Sequence, residues 1–244
     1  MPRKLGQHFL ASESILNRIA DAVCPERAAL AVEIGPGKGA LTAKLLERAE
    51  RVAAIEIDAG LVEHLRARFD PARLEVIHAD VLGVDLARWS GAPLAGNLPY
   101  YITSPILEKT VRARPPRAVF LMQKEVAARL AAKPGTRDYG YLTVQTAMFA
   151  SAKVLFDVKP GAFRPPPKVD SSVVLLEPRE RSVENAEAFL EFVGRAFRHK
   201  RKTLRNNLVE FYSGIEELPE AAMRAEQLSL ERLLSVFIGV HRRP

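Results

Sequence analysis

Asn97-Leu98-Pro99-Tyr100 sets an amide, a backbone carbonyl, a stiffened turn and an aromatic ring in consecutive positions. That combination suits methyl transfer to an exocyclic amine. Adenine N6 is a poor nucleophile because its lone pair is delocalised into the ring. The side-chain oxygen of Asn97 and the carbonyl of Leu98 can accept its two hydrogens, and Pro99 stiffens the backbone so that the carbonyl points outward. The amine is then aimed at the methyl, and charge developing on nitrogen meets preorganised dipoles. Tyr100 supplies a flat face for the base, with stacking worth about 1–3 kcal/mol. No general base is required, because the proton can leave after the methyl arrives. Alone, the same tetrapeptide also reads as a strand end followed by a proline turn.

Upstream, Glu33-Ile34-Gly35-Pro36-Gly37-Lys38-Gly39-Ala40 follows an apolar run and opens a helical segment. Glycines there allow a tight turn and close approach of a ligand, and a helix start presents free N–H groups. Gly35-x-Gly37-x-x-Ala40 fits a dinucleotide fingerprint. Glu56 ends the next run, placed to accept from both ribose hydroxyls, and Asp80 ends the one after, placed to accept from an adenine amino group. Two ligands fit this set: NAD, with its pyrophosphate at the helix start, and S-adenosylmethionine, which has a ribose but no phosphate. Asp80 reads equally as a turn or helix-cap carboxylate.

The elements that must position these groups follow from periodicity. Ala31–Ile34, Val52–Ile57, Leu74–His78, Pro93–Leu98 and Val119–Met122 are short apolar runs. Helical stretches at Leu41–Leu46 and Gly60–Phe69 alternate with the first three. That alternation indicates βαβ units and a parallel sheet buried on both faces. Val154–Val158 and Ser172–Leu176 read as a hairpin-like edge pair across a proline-stiffened loop. From Glu184 to Val240 the pattern is helical, with Phe189, Phe192, Val193, Ala196 and Phe197 on one face. Pro219 suits a helix start, and Ser229 can cap the last helix. A boundary is expected near residues 178–184.

Composition narrows the class. The chain has 244 residues, 48% of them hydrophobic and 27% charged, one cysteine and a net charge of +7. This describes an ordinary globule and argues against wholesale disorder. Lone Cys24 excludes an internal disulfide framework and a Cys-rich zinc site, and no metal site is expected. No apolar run is long enough for a membrane span and no signal peptide is visible, so a cytoplasmic setting is expected. Arg195, Arg198, Lys200, Arg201, Lys202 and Arg205 crowd into eleven residues without a carboxylate. On a helix they would form a single-sign face, either merely solvated or binding the phosphates of a structured RNA.

These residues closely resemble the ribosomal RNA adenine N6,N6-dimethyltransferase family over nearly the whole chain. The resemblance rests on Gly6–Leu10, Glu33–Thr42, Val52–Asp58, Asn97–Tyr100, Gln123–Ala127, Tyr139–Val144, Phe163–Ser171 and Arg201–Leu208. It implies a Rossmann-like α/β S-adenosylmethionine-dependent methyltransferase sheet spanning residues 1–180. A small all-α RNA-binding domain would span residues 181–244. It further implies methylation of N6 on two adjacent adenosines near the 3′ end of small-subunit (16S) ribosomal RNA, with a role in ribosome biogenesis. Catalytic roles would fall to Asn97, Leu98, Tyr100 and Phe163, the last packing on the target base opposite the tyrosine. Gln7, His8, Leu10, Gly35, Gly37, Glu56, Asp80 and Asn97 would hold S-adenosyl-L-methionine. Lys168, Arg198, Lys200, Arg201, Lys202 and Arg205 would meet RNA of the 30S subunit. Apart from the resemblance, a monomer is expected because the sequence leaves over no long heptad or hydrophobic surface stripe. His8 stands where the family commonly has asparagine, Ala79 where it has glycine, and Tyr101 where asparagine is frequent. Three rivals remain: a methyltransferase for large-subunit RNA, an assembly factor with a vestigial pocket, and an NAD-dependent oxidoreductase.

Overall fold

A computed structural model describes residues 8–180 and 185–241. The chain divides into two compact units, residues 1–127 with 150–178, and residues 128–149 with 179–244.

The first unit is built on a seven-stranded sheet. Its strands are β2 (Ala28–Ile34), β3 (Ala49–Glu56), β4 (Leu74–His78), β5 (Leu94–Asn97), β6 (Ala118–Gln123), β7 (Ala150–Val158) and β9 (Ser171–Pro178), in the order β4-β3-β2-β5-β6-β9-β7. The first five run parallel, while β9 lies antiparallel between β6 and β7. The expected pairing of the last two strands is present, with β9 inside the sheet and β7 alone at its edge. Val32 and Ile34 are buried on one face of β2, Ala31 and Glu33 on the other. A parallel sheet covered on both sides requires that pattern.

Helix α1 (Glu13–Val23) buries Leu16, Ile19, Ala20 and Val23 at helical spacing. They join Leu41, Leu45 and Leu46 of α2 (Ala40–Arg48), together with Ala31, Val52, Ala95, Val119 and Val173 of the sheet. Helix α3 (Ala59–Arg68) starts where the Asp58 carboxylate accepts the N–H of Leu61 at 3.0 Å. Helix α4 (Thr103–Ala113) follows the Asn97–Tyr100 turn. A separate two-stranded ribbon pairs β1 (Phe9–Leu10) with β8 (Phe163–Arg164), setting Leu10 opposite Phe163.

Helix α5 (Lys124–Leu130) leads the chain into the second unit. There α6 (Tyr141–Phe149), α7 (Ala186–Ala196), α8 (Leu204–Leu208) and α9 (Leu230–His241) enclose an aromatic core. The Phe237 ring lies edge-on to Phe189 at 5.4 Å and to Phe192 at 5.6 Å. The expected boundary at residues 180/181 differs from this division, because residues 128–149 belong to the helical unit. The cause is packing: Tyr139, Val144 and Met148 share one buried cluster with Phe189, Phe192 and Leu233. Pro219 opens a single 3-10 turn, Pro219–Ala222, instead of a longer helix. Ser229 does cap α9, its hydroxyl accepting from the Arg232 N–H at 3.3 Å. Among the described residues no helix is long and apolar enough to cross a membrane.

Candidate active site

Strand β2 pairs with β3 on one side and β5 on the other. The chain therefore reverses its winding direction between β2 and β5, and open α/β sheets bind ligands at the carboxyl ends of such strands. A cavity of about 860 Å³ opens there. His8, Leu10, Gly35, Gly37, Glu56, Asp80, Asn97, Leu98 and Tyr100 all line it, so most of the expected site residues meet in one place. Gln7 lies outside the described residues.

Two glycines make the floor possible. Gly37 has φ +56, and a Cβ on it would lie 2.9 Å from Cε1 of Phe9, whose ring covers the turn. Gly96 faces the Ile34 carbonyl so closely that a Cβ would stand 2.6 Å from its oxygen. That approach brings Asn97, the last residue of β5, beside the Gly35 turn.

Asn97 is held by its nitrogen. Its Nδ2 donates to the His8 carbonyl at 2.9 Å, and the His8 ring Nδ1–H donates to the Pro165 carbonyl at 2.9 Å. A carbonyl only accepts, so the amide must turn its N–H toward residue 8 and its Oδ1 away. Among the described residues Oδ1 accepts no hydrogen bond. Beyond it, the Leu98 N–H bonds the Leu121 carbonyl at 2.9 Å. The Pro99 carbonyl is occupied by the Ile102 N–H at 3.2 Å and the Thr103 hydroxyl at 3.0 Å. The half-buried Tyr100 is anchored by its hydroxyl on Ser171 at 2.9 Å.

The ring facing Tyr100 is His8, at 6.0 Å and 29°, and this corrects the expectation for Phe163. Phe163 is 0% exposed and packs in the core with Leu10, Leu16 and Ile19. Its place in β8, paired to Leu10, turns its side chain inward. The proline-stiffened stretch of the loop begins only after it, at Pro165.

Glu56 closes the other wall. Its Oε1 accepts the N–H groups of Ile57 and Asp58, both at 3.0 Å, and its Oε2 accepts that of Gly37 at 3.1 Å. A carboxylate offers about four acceptor directions, so one at Oε2 remains for a ribose hydroxyl. Bonds to both hydroxyls require Gly37 to release its hold. Asp80, which lines the cavity, spends Oδ1 on capping the Val81–Gly83 turn, accepting from Leu82 N–H at 2.9 Å, while its Oδ2 accepts no hydrogen bond among the described residues. Both readings of Asp80 are therefore compatible with one geometry.

The sequence reading gave no role to Glu33, which also lines the cavity and is 1% exposed. Burial pushes its carboxyl up to about 8; the Thr42 hydroxyl, donating to Oε2, works against that shift and the nearby Glu56 charge adds to it. A lone carboxylate in an Ala/Val/Ile run was the available signal.

The basic cluster is arranged differently from the single helical face expected. Helix α7 ends at Ala196 and α8 begins at Leu204, so Arg198, Lys200, Arg201 and Lys202 sit on the connecting turn. The turn is pinned by Asn207, whose Nδ2 donates to the Ala196 and His199 carbonyls at 2.9 and 3.2 Å. Arg198, Lys200, Arg201, Lys202 and Arg205 are exposed. Lys200 donates to the Arg137 carbonyl and Arg205 approaches Glu216 at 3.7 Å. Lys168 is exposed on the loop after β8.

S-adenosylmethionine fits these walls: a turn whose Gly35 and Gly37 carry no side chain, a carboxylate at the tip of β3, and apolar surfaces from Ile57 and Leu82.

Residues 1–240 match the family described as ribosomal RNA adenine dimethylase. A ribosomal RNA small subunit methyltransferase A from Chlorobium luteolum is 42% identical, the match covering 96% of this chain and 88% of that one. The protein of the same description from Geobacillus thermodenitrificans is 41% identical over 99% of this chain and 84% of its own. Among solved structures, a dimethyladenosine transferase from Plasmodium falciparum superposes with a TM-score of 0.83 at 27% identity, covering 96% and 98% of the two chains. The 23S rRNA methyltransferase ErmE gives 0.74, also at 27% identity, covering 96% and 100%.

Proposed function

Because this chain belongs to the ribosomal RNA adenine dimethylase family, we propose that it dimethylates N6 of two adjacent adenosines near the 3′ end of small-subunit ribosomal RNA. The observation that carries the reading is the locked amide of Asn97. With Nδ2 committed to His8, Oδ1 is a fixed acceptor at the end of β5, and the Leu98 carbonyl is the second. Together they orient the amine and stabilise the positive charge that develops on it. S-adenosylmethionine, when bound, supplies the activated methyl group. Glu56 and Asp80 hold its ribose and adenine ends, and the Gly35–Gly37 turn admits its remainder. Tyr100 offers the flipped adenine a stacking face, since a target base must leave its own stack at a cost of a few kcal/mol. After the first transfer one N–H remains, and one acceptor still orients it.

Exposed Arg198, Lys200, Arg201, Lys202 and Arg205, with Lys168, supply phosphate contacts to the 30S subunit. The reading extends to a monomer acting in the cytoplasm, in keeping with a ribosomal RNA substrate. Roles in subunit assembly are compatible with the same contacts.

The test is incubation of unmethylated small subunits with labelled donor, followed by mapping of the modified nucleotide, using the unaltered protein and Asn97→Ala. Removing one oriented acceptor should lower kcat about 10²–10³-fold while RNA binding is retained. Near-normal turnover in the variant would refute the acceptor role. Labelling of large subunits instead would assign the enzyme to the other ribosomal RNA.

A further inference from the structure

The rim of the cavity carries an aromatic ring that methyl transfer leaves unused. Tyr101 lines the cavity yet is 62% exposed, and makes no hydrogen bond among the described residues. The other rings nearby are engaged. Tyr100 is tied to Ser171 and faces His8. Phe9 covers Gly37 with Lys38 Nζ 5.1 Å from its centroid, and Phe163 is in the core. The turn that carries Tyr101 is hydrogen-bonded across its base, the Pro99 carbonyl accepting from both Ile102 N–H and the buried Thr103 hydroxyl. A large ring held by its backbone, with open faces beside a nucleotide-sized cavity, is built to receive another flat group.

We propose that Tyr101 is a stacking platform for a nucleobase of the RNA strand that flanks the adenine being methylated. This rests on the reading of the site as an RNA adenine methyltransferase. The target base has its own face in half-buried Tyr100, near the Asn97 acceptor. Tyr101, four residues beyond Asn97 and open to solvent, meets what remains outside. A strand whose target base is flipped leaves its neighbours partly unstacked, and any base can occupy an aromatic face. Tyr101 thereby selects for an accessible neighbouring base without reading its identity.

Three variants and two readouts test this. Tyr101→Ala should raise KM for unmethylated small subunits roughly 5- to 150-fold, the equivalent of one lost base stack. Donor affinity by calorimetry should hold, and Tyr101→Phe, which keeps the ring, should restore most of the loss. Tyr101→Trp should show fluorescence quenched on titration with a short single-stranded RNA carrying adjacent adenosines. Native Trp89 is 7% exposed and does not line the cavity, so it contributes a constant background. An unchanged KM in Tyr101→Ala, or an unquenched Tyr101→Trp that binds the RNA, would overturn the proposal while leaving methyl transfer intact. If the unaltered protein methylates no ribosomal RNA, the parent reading falls, and the quenching titration still decides whether residue 101 meets a base.

Discussion

Replacing Gly96 by alanine would place a methyl carbon 2.6 Å from the backbone oxygen of Ile34 and 3.2 Å from Cδ2 of Leu98. The Leu98 contact can yield by a small side-chain adjustment. The Ile34 oxygen belongs to β2, opposite Gly96 in the parallel register, and can move only if the strands part. Ordinary contact begins at 3.4 Å, so the strands must part by roughly 0.8 Å or more. Overpacking of this kind costs about 1–3 kcal/mol. At about 2–4 °C per kcal/mol for a protein of this size, Tm should fall by about 2–12 °C.

The catalytic effect should exceed the effect on stability. Asn97 is the next residue, and its Oδ1 must meet an amine positioned from the β2 side of the cavity. A displacement near 1 Å can cost about 10²-fold in rate, so Gly96→Ala should lose about 10- to 100-fold in kcat. The assay is single-turnover methylation of small subunits beside thermal unfolding, at temperatures where the variant is fully folded. A variant with lowered Tm and undiminished kcat would refute the coupling between strand separation and acceptor placement. Unchanged values of both would refute the close approach itself.

Further outcomes follow from the same geometry. The folded protein holds the Glu33 proton up to about 8 against an ordinary 4.5, so its contribution is complete below about pH 4.5 and declines as pH rises toward 8. Denaturant titrations of Glu33→Gln should therefore lose that downward slope, and an identical slope in both proteins would contradict it. Phe163→Ala should destabilise the first unit by about 3–5 kcal/mol, as for a core phenylalanine, whereas Phe163→Leu should keep most of the stability. Full stability in Phe163→Ala with methylation lost would return that ring to the substrate. Combined substitution of Arg198, Arg201 and Lys202 by alanine should reduce the salt slope of RNA binding by about 2–3, near 0.7–0.9 per phosphate contact; an unchanged slope in a filter-binding series would move the RNA elsewhere.

What sequence alone disclosed was local. Ala31–Ile34 and Val119–Met122 are apolar on every residue but Glu33, because both faces of a parallel strand are covered, and that pattern needs no knowledge of neighbours. The chemistry of Asn97–Tyr100 was legible for the same reason, being four consecutive residue types. The misreadings came from distant partners. Phe163 looks like a loop residue before three prolines; only its pairing with Leu10, more than 150 positions earlier, buries it. Residues 128–149 carry no mark of leaving the sheet until Val144 and Met148 meet Phe189 and Phe192. The break between α7 and α8 is stabilised by the Asn207 amide reaching back to Ala196 and His199.

The acceptor itself belongs to both classes. Its identity is written in the tetrapeptide, but its orientation is imposed by the carbonyl of His8, 89 positions away. His8 in turn is held by Pro165 through its ring, and the adjoining strand pairing of Phe9 with Arg164 fixes the segment's height above β5. A change in the β1–β8 ribbon therefore reaches the reaction by rotating one amide, in addition to whatever it does to the cavity wall that His8 and Leu10 form. The ring of residue 8 therefore bears on the chemistry through the position of its backbone oxygen.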